Sequence, residues 1–123
     1  MARKFLTGLL LGSWIAPAVV ALTDASTITV NAALGNDFRV TLGGNRTMGA
    51  PSNATDGQII MFQITQDGTG SRTITWASGT NGYSFGAGTA PTLTTAASKT
   101  DLVGFKYNAT KSLWLYTGSA LGY

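Results

Sequence analysis

Five aspartates, Asp24, Asp37, Asp56, Asp67 and Asp101, are the carboxylates of this sequence, which contains no glutamate, no histidine and no cysteine. Acid–base and nucleophilic catalysis need titratable groups that converge on one point. Without histidine and cysteine, Ser-His-Asp and Cys-His arrangements are excluded, and a glycosidase-type carboxylate pair would have to come from the five aspartates. Asp56 and Asp67 each precede a glycine in turn-like sequence, where aspartate sits for backbone reasons. Asp37 and Asp101 open alternating runs. The loop Asp67-Gly68-Thr69-Gly70-Ser71 has the glycines of an ion or phosphate loop. Calcium, however, takes about six to eight oxygens, usually several from carboxylates, and this loop offers one carboxylate. A phosphate cradle needs a following helix, and a strand-like run follows here. The residues predict no catalytic centre, no metal site and no cofactor.

The other side chains with binding chemistry are aromatic: Trp76, Tyr83, Phe85, Phe105, Tyr107, Trp114 and Tyr116. A surface that stacks nucleic-acid bases interleaves such rings with Lys and Arg. Only Lys106 and Lys111 lie near them in sequence, so no nucleic-acid partner is expected. Packing in a β core or between subunits explains the rings more simply. Trp114 and Tyr116 are candidates for a subunit interface, and Tyr83 and Phe85, set among glycines, for an exposed loop contact.

The elements that must position these groups read as strands. Gln58 to Ala77 holds two alternating runs joined by the Asp67–Ser71 turn, the pattern of a β-hairpin, with Ile60, Phe62 and Ile64 on one face. Both glycines of that turn can take positive φ. Thr27–Ala32 and Asp37–Gly43 alternate as neighbouring antiparallel strands, burying Ile28, Val30 and Ala32 on one and Phe38, Val40 and Leu42 on the other. Arg46–Met48 and Thr92–Thr95 read as short strands. Asp101–Tyr107 and Ser112–Thr117 form a second hairpin, the first burying Val103, Phe105 and Tyr107. Past residue 22 no apolar pattern of helical period is long enough for a helix. The class is all-β, with an antiparallel β-sandwich or jelly-roll-like barrel over residues 23–123.

The 123 residues suit one domain with one modest core. Charged residues make up 11% of the chain, less than half the usual ~25%. A surface so poor in charge is expected to be covered by neighbours. Residues 1–22, MARKFLTGLLLGSWIAPAVVAL, form a separate segment. The basic start, short apolar run and Ala16-Pro17-Ala18 fit a secretory signal peptide. The same residues fit an extended N-terminal arm that docks on a partner through Phe5, Leu6, Leu9, Leu10, Leu11, Trp14 and Ile15. Each large side chain buried there would stabilise docking by roughly 1.5–3 kcal/mol. The apolar run is too short to span a membrane, and no membrane partner is expected.

Several stretches together resemble a β-module found in virion proteins of tailed bacteriophages. They are Asn36 to Thr47 (NDFRVTLGGNRT), Asp56-Gly57-Gln58, Gln66 to Trp76 (QDGTGSRTITW), Lys99 to Phe105 (KTDLVGF), Tyr107 to Thr110 (YNAT) and Gly122-Tyr123. The resemblance covers residues 23–123 in order. It implies a structural or attachment role without catalysis, often as a homotrimer. The leading expectation is a capsid decoration (cement) protein whose arm docks on the major capsid protein or another virion subunit. A tail-fibre or tail-tip component, with Tyr83 and Phe85 touching a host glycan, is the alternative. A secreted carbohydrate-binding module, after cleavage near Ala18, is the third reading.

Overall fold

Alternating apolar and polar residues build nine strands, and the computed structural model describes residues 18–123. In chain order the strands are β1 (Val19–Ala21), β2 (Thr27–Ile28), β3 (Asp37–Leu42), β4 (Arg46–Met48), β5 (Ile59–Gln66), β6 (Ile74–Trp76), β7 (Tyr83–Ser84), β8 (Thr100–Asn108) and β9 (Leu113–Ala120). One short 3-10 turn, Ala32–Leu34, is capped by Asn31, whose Oδ1 accepts from the Ala33 amide at 3.0 Å. Among the described residues there is no α-helix, and the fold is all-β.

The strands form a six-stranded sheet in the order β1-β3-β5-β8-β9-β7 and a three-stranded sheet in the order β2-β4-β6. The first six strands alternate between the sheets, and within each sheet they stack in parallel: β1 on β3 on β5, and β2 on β4 on β6. The chain therefore winds through three successive coils, the rule of a parallel β-solenoid. Equivalent residues stack in columns, Thr27 on Thr47 on Thr75 and Ile28 on Met48 on Trp76. At a third corner Asn31 bridges to Ser52, and its Oδ1 accepts from Asn53 Nδ2 at 3.0 Å. After β6 the winding stops. β8 pairs antiparallel with β5, β9 antiparallel with β8, and β7 parallel with β9.

These pairings correct the expectation of antiparallel neighbours. Gln58–Ala77 is not a hairpin, because β5 and β6 lie in different sheets. Both edges of β5 are taken, one by β3 over six residues and the other by the long β8 over seven. No edge is left for the three residues of β6. The loop between them is turned outward by Gln66, which is 3% exposed. Its Oε1 accepts from the Arg72 amide, and its Nε2 donates to the Arg72 and Thr94 carbonyls, all at 2.9 Å. Likewise β2 and β3 are not partners, since β3 lies between β1 and β5. Thr92–Thr95 is not a strand, although Leu93 packs into the core. The second hairpin is present as β8–β9, with a bulge that leaves Thr117 unpaired between Tyr116 and Gly118.

The inward faces follow the alternation. Ile28, Val30 and Ala32, then Phe38, Val40 and Leu42, then Ile60, Phe62 and Ile64, are all buried. They join Val103, Phe105, Tyr107 and Trp114 in one core shared by both sheets. Phe62 sits among Phe38, Trp76, Tyr83 and Phe105, with ring centroids 5.7–6.0 Å away. Rings at these distances favour tilted and edge-to-face contacts over stacked ones, as seen here.

Candidate functional site

Each aspartate has a structural partner. Asp24 accepts from Arg46 Nε and Nη2 at 2.8 and 2.9 Å and from the Gly43 amide at 3.0 Å. The Arg46 guanidinium holds its carboxyl below the usual carboxylate range, with the Gly43 amide helping and partial burial opposing. Asp67 accepts from Arg72 and from the Thr69 and Gly70 amides. Arg72 first, then the Gly70 amide, lowers it to about 2. Asp37 pairs with Arg39 at 2.9 Å, and Asp56 accepts from the Ala109 amide at 2.9 Å. Asp101, 2% exposed, accepts from the Thr94 amide at 2.6 Å and the Gly122 amide at 2.8 Å. It clamps the C-terminal residues, and Tyr123 and Thr100 exchange two backbone hydrogen bonds beside it. The five carboxylates are thus spread over two strands, β3 and β8, and three loops or corners. Among the described residues no three metal-ligating side chains cluster, and no helix is long and apolar enough to cross a membrane.

The aromatic candidates change place. Trp114 is fully buried, packed on Tyr107 at 4.9 Å, so it cannot form a subunit interface. Its indole Nε1–H is buried without a hydrogen-bond partner. Tyr116 faces the same interior, half-buried between Phe85 and Phe105. Tyr83 is 4% exposed, donates its hydroxyl to the Gly49 carbonyl at 2.9 Å, and is raised in pKa by burial. Phe85 packs on Trp76, Phe105 and Tyr116. The glycine-rich loop therefore folds its rings inward as β7 and the residue after it, and offers neither as an exposed contact. The rings of a solenoid's last coil must be covered by something, and β7, β8 and β9 supply that cover.

What remains on the surface is the outer face of the six-stranded sheet. Register places Val19, Asp37, Met61, Gly104 and Gly118 in one row across five strands, with Ala21, Arg39, Gln63, Leu102 and Ala120 in another. Ile59, Lys106 and Leu115 form a third. Val19 and Ile59 are more than half exposed, and Met61 is 38% exposed. Two of the three charges in these rows, Asp37 and Arg39, neutralise each other. Beside Gly118 lies a groove of about 260 Å³ lined by Met61, Leu102, Thr117, Ser119 and Ala120. At Gly104 a Cβ would meet Thr117 Oγ1 at 2.9 Å and the Met61 methyl at 3.2 Å, so these two side chains fill the space over the glycine and would have to shift to admit a larger residue. This face went unrecognised in the sequence, yet a signal existed: Ile59 and Met61 occupy the polar phase of the β5 alternation.

A polar groove of about 580 Å³ lies at the first turn, between Ala32–Asn36 and Thr55–Ile59. Gln58 crosses its floor, donating to the Ala32 carbonyl at 2.8 Å and the Gly35 carbonyl at 3.2 Å. The groove is a seam between coils with its polar groups satisfied. The candidate docking arm, Phe5, Leu6, Leu9, Leu10, Leu11, Trp14 and Ile15, lies outside the described residues. Residue 18 leads directly into β1, the edge strand of the larger sheet. Comparison with protein-family descriptions, with curated proteins and with solved structures finds no match.

Proposed function

We propose that this chain is a structural subunit of a tailed-bacteriophage virion, a capsid decoration protein that docks through the segment preceding β1 and stabilises the shell. Val19–Ala21, counted with that arm from the sequence, belong to the sheet. The observation that carries this reading is where the chain enters the fold. The apolar segment joins the rim of the larger sheet at Val19, while the core is gathered around residues from Ile28 to Trp114. A segment that enters at an edge strand could bind a neighbouring subunit without drawing on the core. Each docked copy then adds buried interface, and binding that favours the assembled state stabilises it by mass action. The spread of the aspartates over structural pairs supports a mechanical role.

The two sheets around one core are read as the layers of a sandwich, wound as a short solenoid and closed by the β8–β9 hairpin. Three copies around a capsid three-fold axis would cover much of a surface that carries few charges. The tail-tip alternative loses its nominated contact, because Tyr83 and Phe85 face the core. The test is a low-resolution map of the virion. Density for a ~100-residue β-domain on the capsid three-fold axes supports the decoration reading, and density confined to the tail tip overturns it.

A further inference from the structure

We infer that two copies of this chain join end to end at their first coils, with β1 of one antiparallel to β1 of the other about a two-fold axis at Ala21. A solenoid needs a cover at each end of its stack. On the larger sheet, β8 covers the last coil by pairing with β5. At the first coil, β1 and β2 are the outermost strands of their sheets, and no described residue pairs with their outer edges. The Leu22 amide donates to the Arg39 carbonyl at 2.8 Å, so by alternation the amides and carbonyls of Val19 and Ala21 face away from β3. In the smaller sheet the Ser26 and Ile28 carbonyls accept from the Thr47 and Gly49 amides, both at 2.9 Å, which turns the backbone groups of Thr27 and Thr29 outward as well. Between the two edges lies a groove of about 340 Å³ walled by Val20, Leu22, Ala25 and Leu34. Leu34 is 58% exposed there.

The occupant follows from the chemistry of the edge and from what a second copy has to offer. An edge with free amides and carbonyls is a template for another strand. Natural edges are blunted by charge or proline, and Val19-Val20-Ala21 and Thr27-Ile28 have neither. A second copy cannot present its last coil on the larger sheet, because β8 already occupies that edge. It can present the same first-coil end, which is self-complementary: each outward residue carries one donor and one acceptor. With Ala21 at the axis, each Ala21 amide donates to the partner's Ala21 carbonyl, and the two larger sheets become one. None of the residues lining the groove is charged, so two copies meet there without like-charge repulsion. Asp24, in the same coil, is already held by Arg46 and the Gly43 amide. Such a pairing is isologous and closes at two copies. The inference concerns the isolated chain and does not rest on the virion reading.

The test is sedimentation velocity of the full-length chain across a wide concentration range, where a monomer–dimer equilibrium is expected. Ala21→Pro removes the outward amide, which β3 does not use, and proline is tolerated at such edge positions. This variant should sediment as a monomer and keep the parent's circular dichroism spectrum. The chain has no native cysteine, so a second variant reads the geometry. Opposed residues of a hydrogen-bonded antiparallel pair lie about 5.5 Å apart at Cα, within disulfide reach. Ala21→Cys should therefore give a disulfide-linked dimer with oxidised glutathione, while Thr89→Cys, in an exposed loop, should not. A chain that is monomeric at every concentration, or that assembles as a trimer, overturns the inference. So does a folded Ala21→Pro variant that still dimerises. If the proline variant fails to fold, the cysteine pair decides alone, and equal cross-linking at the two positions overturns the inference.

Discussion

Asp24 and Arg46 are 22 residues apart in sequence and one coil apart in the winding, and their side chains meet through two hydrogen bonds of 2.8 and 2.9 Å. The same carboxylate accepts from the Gly43 amide, so one aspartate from the first coil fixes the corner of the second. The next corner repeats the device with an amide: Asn45 Oδ1 accepts from the Thr73 amide at 3.1 Å. Short parallel strands of two and three residues carry few ladder bonds, and parallel pairing needs crossovers rather than tight hairpins. Corner contacts of this kind hold the coils in register where the strands are too short to do so.

The acid response follows from the two shifted aspartates. Arg46 lowers Asp24 and Arg72 lowers Asp67, the latter to about 2 from the usual 3.8. The folded values lie below the unfolded one, so this stabilisation is complete above about pH 4 and is lost as pH falls from there towards 2. Urea unfolding midpoints should hold between pH 7 and pH 5 and fall below pH 4. In Asp67→Asn the midpoint should be lower at pH 7 and fall less steeply on acidification.

Two glycines of one loop should respond in opposite ways. Gly70 has φ +76, and a Cβ there would stand 2.5 Å from the Thr95 carbonyl oxygen. Gly68 has open space around it and no positive φ. Gly70→Ala should cost about 2–4 kcal/mol. Gly68→Ala should stay within about 0.5 kcal/mol of the parent, and denaturant titration of both checks the difference.

Phe62, beside Phe38 on the larger sheet, joins the two sheets through its contact with Trp76. Phe62→Ala should destabilise by about 3–5 kcal/mol. Because both sheets share one core, unfolding followed by tryptophan fluorescence and by far-ultraviolet circular dichroism should stay coincident. Separate transitions would show that the sheets fold as independent units.

The buried carboxylate at the C-terminus can be probed without touching the coils. Asp101→Asn replaces one of two accepting oxygens with an NH2 that cannot accept from the Thr94 or Gly122 amide. A loss of about 1–3 kcal/mol is expected. Carboxypeptidase should release Tyr123 faster from this variant than from the parent.

The longer strands and their inward faces are legible in the residues because a period of two survives in any sheet. The short β1 and β7 are not, and Thr92–Thr95 alternates without being a strand. Phe38, Val40 and Leu42 face the core whatever their neighbour, and the same holds for Val103 and Phe105. The partners were not legible. Alternation in Gln58–Ala77 is the same for a hairpin and for two strands of successive coils, and the glycines of Asp67–Ser71 serve a tight turn or a corner equally well. The choice was made at a distance, by β8 taking the second edge of β5. Trp114 and Tyr83 were misplaced for a related reason: local spacing says which residues share a face, while burial depends on β7, β8 and β9 closing over the last coil.

The virion reading rests on the arm, and one measurement addresses it directly. Purified particles carrying either the intact chain or a chain lacking residues 2–15 can be compared by quantitative mass spectrometry. The account predicts that the intact chain is recovered from particles with peptides from residues 5–15 present. The shortened chain should remain folded in the lysate and be absent from particles. Equal incorporation of the shortened chain, or recovery of the intact chain only as a secreted product beginning after Ala18, would contradict it.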